Sequence, residues 1–451
     1  MNRRSFIKAS SASFAATSFL SLGQALANTK INNNEDYKAI VCVFLYGGMD
    51  NHDTLIPFDE PSYSKWAGIR SELLQHYTIK RNRENLLALN TPARFAPRKF
   101  ALPPEFKQVA SLYQQGKLSI IGNVGPLLEP TNANAIESDL AKLPLRLFSH
   151  NDQQSTWMSG STEGAQFGWA GKLNDALINQ TGLAPTTFSA ITTTGSGLLI
   201  TGDKTQPYHV SNGQAANINI YEEFDNSTLL KQHFSAMPNQ SDNLLEQDIA
   251  IKMKHSFESN EQFNDALASS SINLPPFPAT AIAKQLETVS KTIAIREQLG
   301  EKRQVFVVAM GGFDTHSGQA KTLPQLQSAM DGAMSAFDSA MQSLGLSDNV
   351  TLFTASDFGR TLTVNGDGTD HGWGAHHFIM GGAVNGGTIF GDVPEPTLNH
   401  ALDAGHGRLI PTLSVDQYAA SLGAWLGVEQ STLSNIFPSL NKFGALPNLF
   451  K

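Results

Sequence analysis

Short apolar runs that favour β-strands alternate with stretches of helical periodicity along the chain of 451 residues. The runs lie at 39–46, 118–121, 305–310, 350–354 and 378–380. Apolar residues with helical spacing occur between them, at 106–116, 282–293 and 326–344. Strands that alternate with helices in this way form mostly parallel sheets covered on both faces. The sequence therefore predicts an α/β fold with a doubly wound, mostly parallel sheet.

Composition is compatible with one large domain, because 41% of the residues are hydrophobic and 16% are charged. We expect residues 28–451 to form a single α/β domain. Within it, residues 208–273 are rich in Asn, Ser and Gln and predict a polar insertion or cap with helices. Residues 57–104 predict a second irregular excursion, which has a basic character.

The first 27 residues have the three parts of a secretory signal peptide. These parts are the basic start Arg3-Arg4-Ser-Phe-Ile-Lys8, a mildly apolar stretch at 12–22 and the small-residue pattern Ala25-Leu-Ala27. The paired arginines resemble the twin-arginine signal, and an amphipathic surface helix is the alternative. We therefore expect export by the twin-arginine translocase to the periplasm or the medium. Because no cysteine follows the cleavage pattern, a lipid anchor at that point is not expected.

Charge and cysteine content exclude several classes of protein. The net charge is −8, and removal of the basic signal peptide makes it more negative, which argues against nucleic acid as a partner. The single cysteine, Cys42, lies in an apolar run, so an internal disulfide is impossible and a buried thiol is expected. No apolar run approaches the roughly 20 residues that a membrane-spanning helix needs.

Aspartate and histidine residues recur at the ends of the predicted strands, where ligands gather in parallel sheets. They occur in Asp50-Asn-His-Asp53, Asp314-Thr-His316, Asp357 and Asp370-His371-Gly-Trp-Gly-Ala-His376-His377. Imidazole and carboxylate groups together suit zinc, manganese or iron. A single aspartate at such a position is more often a helix N-cap, but four clustered motifs predict a divalent-metal site.

Two further positions are candidates for catalysis. Ser149, with His150 beside it, precedes an acid- and amide-rich stretch that can open a helix, so it is either a nucleophile near free backbone N–H groups or an N-cap. Arg360 either clamps an anionic oxygen or pairs with a neighbouring carboxylate.

Together, six motifs closely resemble the exported family called domain of unknown function 1501. They are Gly47-Gly-Met-Asp50, Phe148-Ser-His-Asn-Asp152, Gly311-Gly-Phe-Asp-Thr-His316, Ser356-Asp-Phe-Gly-Arg360, Asp370-His-Gly-Trp373 and the segment from Gly407-Arg-Leu-Ile-Pro to Trp425. That family looks like a branch of the alkaline phosphatase and sulfatase superfamily. The wider resemblance implies two metals at the strand ends of a doubly wound sheet and attack on phosphate or sulfate esters.

The resemblance also implies roles for individual residues. Asp50 resembles the first metal-binding aspartate of the superfamily, and Ser149 falls in the region of its nucleophile. Asp314 with His316 looks like its later Asp and His pair, although the spacing is shorter here. His371 looks like its final histidine ligand.

One implied metal position departs from the superfamily pattern. Asp357 resembles the aspartate of an Asp-His pair, but Phe358 stands where the histidine is expected. His376 or His377 could replace the missing ligand. The chain also contains no Cys/Ser-x-Pro-x-Arg motif from which a sulfatase makes its formylglycine, so classical sulfatase activity is not expected.

These observations lead to three functional hypotheses. The first is a metal-dependent hydrolase of a phosphate-type or related anionic ester. The second is a non-catalytic, metal-stabilised protein of the cell envelope that binds polysaccharide, with Trp157, Trp169 and Trp373 available for stacking on sugars. The third is an oxidoreductase with one redox-active metal. Turnover of an ester separates the first from the second.

Overall fold

The computed structural model describes residues 37–182, 186–195, 197–211, 213–215, 236 and 243–451. The predicted signal peptide lies outside the described residues, and so does most of 216–242 in the predicted insertion. Contacts within the chain group Lys38–Lys451 as one compact unit.

The strands of the described residues belong to a large central sheet and a small accessory sheet. The large sheet contains β1 (Lys38–Leu45), β5 (Leu118–Gly125), β6 (Ala190–Thr192), β7 (Tyr208–Ser211), β8 (Gln214–Ala215), β9 (Arg303–Met310), β10 (Val350–Ser356), β11 (Ala375–Met380), β12 (Ile389–Gly391) and β13 (Leu413–Ser414). The small sheet contains β2 (Ile56–Pro57), β3 (Leu87–Ala88) and β4 (Phe100–Leu102).

The central sheet runs in the order β12-β5-β11-β10-β1-β9-β6-β7-β8, with β13 also paired to β5. Strand β1 lies between β10 and β9 and is parallel to both. The pairs β6–β9, β6–β7, β5–β12 and β5–β13 are parallel as well. Strand β11 is antiparallel to β10 and β5, and β8 is antiparallel to β7. The prediction of a mostly parallel α/β sheet is confirmed.

Eleven α-helices occur in the described residues. They are α1 (Glu60–Ile69), α2 (Ser71–Leu74), α3 (Lys107–Gln114), α4 (Ala133–Glu137), α5 (His150–Ser159), α6 (Trp169–Thr181), α7 (Leu244–Ser269), α8 (Ala281–Ala294), α9 (Gln319–Ser343), α10 (Val415–Leu426) and α11 (Gln430–Ile436). Short 3-10 helices occupy Asn51–Asp53, Ala93–Phe95, Leu198–Ile200 and Pro438–Lys442. Within the described residues, no helix is both long and apolar enough to cross a membrane.

Strand β1 is buried on both faces, as expected of a strand in the centre of a parallel sheet. Its alternate residues Ile40, Cys42 and Phe44 pack into an apolar core with side chains of α5, α6 and α10. The residues between them are also buried. Helix α8 packs on β9 and on α9. Burial raises the pKa of the Cys42 thiol, so the predicted buried and unreactive cysteine agrees with its surroundings.

Candidate metal centre

The loops that follow β1, β9 and β10 meet at the carboxyl edge of the sheet, because these three strands are adjacent and parallel. Hydrogen bonds join the loops directly. Phe313 N donates to Tyr46 O at 3.2 Å, and Thr369 N donates to Thr315 O at 3.0 Å. Gly47 N donates to Asp357 Oδ1 at 3.2 Å. Polar residues far apart in the sequence are therefore held at one place.

Close packing of these loops requires glycine at two successive positions. Gly47 has φ +115°, and a Cβ atom there would lie 2.2 Å from the backbone nitrogen of Asp314. Gly48 has φ +88°, and its Cβ would lie 2.6 Å from the ring of Phe358. Other residues avoid this region of backbone space and would also collide with these neighbours. The Gly-Gly pair thus allows the first loop to approach the loop that carries Asp314.

Three imidazole nitrogens face the carboxylate of Asp314. His316 Nε2 and His371 Nε2 each lie 3.2 Å from Asp314 Oδ1, and the two nitrogens are 2.9 Å apart. His150 Nε2 lies 3.4 Å from Asp314 Oδ2. Ligand atoms of His150, Asp314 and His371 all fall within 4.8 Å of one another. Three potential metal ligands therefore converge on one point, and His316 adjoins two of them, Asp314 and His371.

The opposite ring nitrogen of each histidine is held by an oxygen that only accepts hydrogen bonds. His150 Nδ1 donates to Asp357 Oδ2 at 2.6 Å, and His371 Nδ1 donates to the carbonyl of Phe148 at 2.8 Å. His316 Nδ1 contacts Asp370 Oδ1 at 3.1 Å. A neutral ring with its proton on Nδ1 satisfies each of these acceptors. Each Nε2 atom then presents a lone pair towards Asp314, the arrangement that outer carboxylates and carbonyls impose on metal-binding histidines.

These distances fit a divalent cation. Tetrahedral zinc with bonds of about 2.0–2.1 Å separates its ligand atoms by roughly 3.3 Å. The separations among Asp314, His316 and His371 are 2.9–3.2 Å. In addition, His150 Nε2 is buried and has no hydrogen-bond partner within the described part of the chain. In rings that carry their proton on Nδ1 alone, the Nε2 lone pairs would converge on Asp314, and a shared cation would remove their mutual repulsion.

The centre is accessible and charged. The side chain of Asp314 is 44% exposed, so a solute can reach it. Burial would raise the pKa of Asp314, but Arg360 and the neighbouring histidines outweigh it and lower that pKa. Burial lowers the pKa of His371, which favours the neutral ring that a metal requires. The hydrogen bond to Asp357 raises the pKa of His150.

Asp357, predicted as a metal ligand, lies behind His150. Its Oδ2 accepts hydrogen bonds from His150 Nδ1 at 2.6 Å and from Gln154 Nε2 at 2.9 Å, while Oδ1 accepts from Gly47 N. The carboxylate is fully buried. His150 and Gln154 are four residues apart on α5, so both side chains reach Asp357 from one face of the helix. In this arrangement Asp357 fixes the orientation of His150.

Asp50, the other predicted aspartate ligand, is occupied by different partners. Its Oδ1 accepts from Arg70 Nη1 and from His52 N, and its Oδ2 accepts from Arg70 Nη2 and from Gln319 Nε2. A carboxylate offers about four acceptor directions, and all are used. Burial would raise the pKa of Asp50, but Arg70, His52 and Gln319 together lower it. Asp50 is thus a buried ion-pair residue outside the group around Asp314.

The 57–104 excursion supplies that arginine and a second one. Arg70 lies at the end of α1, and Arg81 pairs with Asp53 at 2.9 Å and with Glu105 at 2.9 Å. Both guanidinium groups are fully buried. They neutralise two acids of the loop after β1 and attach the excursion to the carboxyl edge of the sheet.

His376 and His377, considered as replacement ligands, lie inside β11. His376 Nδ1 accepts from Asn123 N at 2.9 Å, and burial lowers the pKa of His376 to about 3. His377 Nδ1 contacts Thr354 Oγ1 at 3.2 Å, and burial lowers its pKa to about 3 as well. Neither belongs to the group of ligand atoms around Asp314. Phe358 instead packs its ring against His150 and His371, at centroid distances of 4.9 and 4.5 Å.

The two predicted catalytic positions differ in their surroundings. Ser149 is the N-cap residue of α5, and its Oγ donates to Asp152 Oδ2 at 2.8 Å. Arg360 is fully buried and donates to Asp314 Oδ1 at 2.8 Å and to Gly47 O at 3.1 Å, with further bonds to Thr369. Of the two roles considered for Arg360, the structure shows the pairing with a carboxylate.

Sequence reasoning missed Gln154 and the role of Phe148. The spacing of Gln154 from His150 was a usable signal, because residues four apart share a helix face. Phe148 has φ +73°, which is unusual for a bulky residue, and this backbone directs its carbonyl to His371. Nothing in the local sequence indicates that conformation.

Comparison with known proteins places the chain in a family. Residues 37–408 match the family described as "Protein of unknown function (DUF1501)". The chain belongs to this family. No curated protein sequence matches this DUF1501 protein.

Several solved structures are similar to the DUF1501 chain at low identity. The PsFucS1 sulfatase from Pseudoalteromonas sp. matches with 9% identity and a TM-score of 0.34, covering 94% of this chain and 75% of that one. The zinc complex of the C-terminal periplasmic domain of EcEptC from Escherichia coli matches with 9% identity and a TM-score of 0.32, covering 77% of this chain and 74% of that one. Alkaline phosphatase from the Antarctic bacterium TAB5 matches with 12% identity and a TM-score of 0.26, covering 78% of this chain and 93% of that one.

Proposed function

We propose that this DUF1501 protein is an exported, metal-dependent hydrolase of a phosphate-type or related anionic ester. The observation that carries the proposal is the convergence of three imidazole nitrogens on one carboxylate, with contacts of 2.9–3.4 Å. His150, Asp314 and His371 would hold one divalent ion, and His316, beside Asp314 and His371, would be a fourth ligand. Zinc suits this histidine-rich donor set best, and manganese or another transition metal is compatible with it.

A metal bound there would act as a Lewis acid towards an ester oxygen. Ser149 is the candidate nucleophile, since it lies at the start of α5, where unpaired N–H groups and the helix dipole favour negative charge. Asp152 Oδ2 accepts a hydrogen bond from the Ser149 hydroxyl at 2.8 Å and orients it. Arg360 would hold Asp314 in position and balance its charge from the buried side.

The polysaccharide-binding alternative is less well supported. The three tryptophans that were considered for stacking on sugars are 3%, 5% and 1% exposed at Trp157, Trp169 and Trp373. Rings that are this deeply buried offer little area for stacking on a sugar, although Trp169 lines a pocket with Lys172 and Asp416. The polar groups around Asp314 are accessible to solutes, which favours chemistry on a small anionic group.

The experiment is an assay of the zinc-loaded protein against a panel of phosphate monoesters, with Ser149→Ala as the test variant and Asp314→Ala as the metal-free control. We expect turnover in the native protein, loss of turnover with metal retained in Ser149→Ala, and loss of both in Asp314→Ala. Full activity in Ser149→Ala would remove Ser149 from the mechanism. Metal binding without cleavage of any ester would reject the hydrolase.

A further inference from the structure

An open groove of about 240 Å³ lies beside the candidate metal centre. Its lining residues are Tyr46, Asn151, Gln154, Ser155, Met158, Glu163, Gly164, Ala165 and Leu198. Two of these residues are linked to Asp357, which lies behind His150. Gln154 donates to Asp357, the partner of His150, and Tyr46 precedes Gly47, whose N–H also binds Asp357. The groove and the centre are therefore neighbours at the start of α5, which is the basis for expecting one ligand to reach both.

Helix α5 forms one wall of the groove. Asn151, Ser155 and Met158 follow at helical spacing and share one face, which runs away from His150 for about 10 Å. His150 and Gln154 lie at the beginning of the same helix and face Asp357. The helix thus links the candidate reacting groups to a neighbouring subsite that is long enough for one ring-sized group.

The groups in the groove can exchange hydrogen bonds with hydroxyls. Asn151 is exposed, and its side-chain amide forms no hydrogen bond with the described residues, so its donors and acceptor are available. Ser155 Oγ donates to Thr162 O at 2.9 Å and can still accept. Tyr46 and Leu198, which are both half-buried, supply an apolar surface. Amide and hydroxyl groups above an apolar floor suit a sugar ring, which has polar edges and apolar faces.

Charge narrows the class of ligand further. Glu163 is the only residue with a formally charged side chain among those lining the groove, and it is exposed. A second phosphate or sulfate in the groove would meet this carboxylate and find no basic partner there. We propose that the groove holds the alcohol part of the ester and selects an uncharged, hydroxyl-rich group of monosaccharide size. This inference rests on the proposed function.

The test compares two esters of similar chemistry on the zinc-loaded full chain. Glucose 6-phosphate carries a sugar that fills the groove, whereas the methyl group of methyl phosphate is too small to enter it. The readout is the ratio of kcat/KM for glucose 6-phosphate to kcat/KM for methyl phosphate. We expect Asn151→Ala to lower this ratio about tenfold, as the loss of one or two hydrogen bonds predicts. Asn134→Ala, an exposed asparagine on α4, is the matched control and should leave the ratio unchanged.

An equal ratio in the native protein, Asn151→Ala and Asn134→Ala would overturn the groove assignment. If neither ester is cleaved, the proposed hydrolase activity is rejected. Calorimetric titration with glucose 6-phosphate then measures whether the groove binds this sugar phosphate without turnover. Binding that weakens in Asn151→Ala but not in Asn134→Ala supports the subsite. Absence of binding, or equal binding by both variants, rejects it.

Discussion

At the scale of single residues, the candidate centre depends on what holds each Nδ1 atom. Asp357, Asp370 and the Phe148 carbonyl each bind one histidine and leave its Nε2 directed at Asp314. Asp357 differs from the other two because it is fully buried and also binds Gln154. It is therefore the outer residue whose removal should affect its histidine most.

Asp357→Asn should lower zinc affinity or kcat by about 10–100-fold, the usual effect of removing an outer partner of a metal-binding histidine. The physical reason is that His150 loses the carboxylate that fixes its ring. Competition with a chelator measures zinc affinity, and circular dichroism checks the fold. Complete loss of zinc, as expected for Asp314→Asn, would identify Asp357 as a direct ligand, and an unchanged variant would contradict its positioning role.

Glu301 offers a separate prediction on stability. Burial raises the pKa of Glu301 to about 7. The hydrogen bond that the Glu301 carboxylate accepts from Thr186 Oγ1 at 2.9 Å lowers this pKa, but by less than burial raises it. A raised pKa means that the folded state favours the protonated acid. Its stabilising contribution is complete below the unfolded pKa near 4.5 and is lost as the pH rises to about 7.

Glu301→Gln should therefore be more stable than the native protein at pH 8, by up to about 3 kcal/mol, and should show no such advantage at pH 4. Urea unfolding at both pH values measures the difference. The same offset at both pH values would show that ionisation of Glu301 is not its cause.

At the scale of elements, the loop after β1 is shaped by its close approach to the loop after β9. A Cβ atom on Gly47 would lie 2.2 Å from Asp314 N, whereas Gly116 also has positive φ, at +70°, but has no atom near its Cβ position. An alanine at either position would have a strained backbone, but only an alanine at position 47 would also collide with the loop at the candidate centre.

Gly47→Ala should displace Asp314 and lower zinc affinity at least tenfold, whereas Gly116→Ala should cost only about 1–2 kcal/mol of folding stability. Chelator competition and urea unfolding measure the two effects. Equal zinc affinity in both variants would show that the approach of Gly47 to Asp314 does not position the ligand.

The elements also show which features local sequence can predict. Apolar runs correctly located β1, β5, β9, β10 and β11, because burial on both faces requires continuous apolar sequence. The antiparallel direction of β11 was not predictable, since strand direction depends on the path of the whole chain. The ion pairs of Arg70 and Arg81 escaped prediction because each joins an irregular segment to the loop after β1.

The candidate site was predictable only in part. Asp314, His316 and His371, proposed as ligands from their motifs, do lie together. His150 joins them because its ring is held by Asp357, which is 207 positions away in the sequence. A motif at the end of one strand does not indicate which distant residue it will contact. Asp50 and His376 share those motifs but point into buried contacts of their own.

At the scale of the whole molecule, the sheet order brings β1, β9 and β10 together and places their loops around Asp314, with the groove along α5 beside them. The candidate centre and its neighbouring subsite are therefore consequences of one topology. A bound metal and hydrolysis are proposals that depend on this arrangement, whereas export is a proposal from the signal-peptide pattern of the first 27 residues.

The most direct test of the account is the metal content of the purified protein, measured by elemental analysis in the native chain, Asp314→Ala, His371→Ala and His76→Ala. His76 is an exposed histidine that serves as the control. We expect one zinc or similar ion per chain in the native protein and in His76→Ala, and almost none in the other two variants. A native protein without stoichiometric metal, or one that keeps its metal in both Asp314→Ala and His371→Ala, would contradict the account.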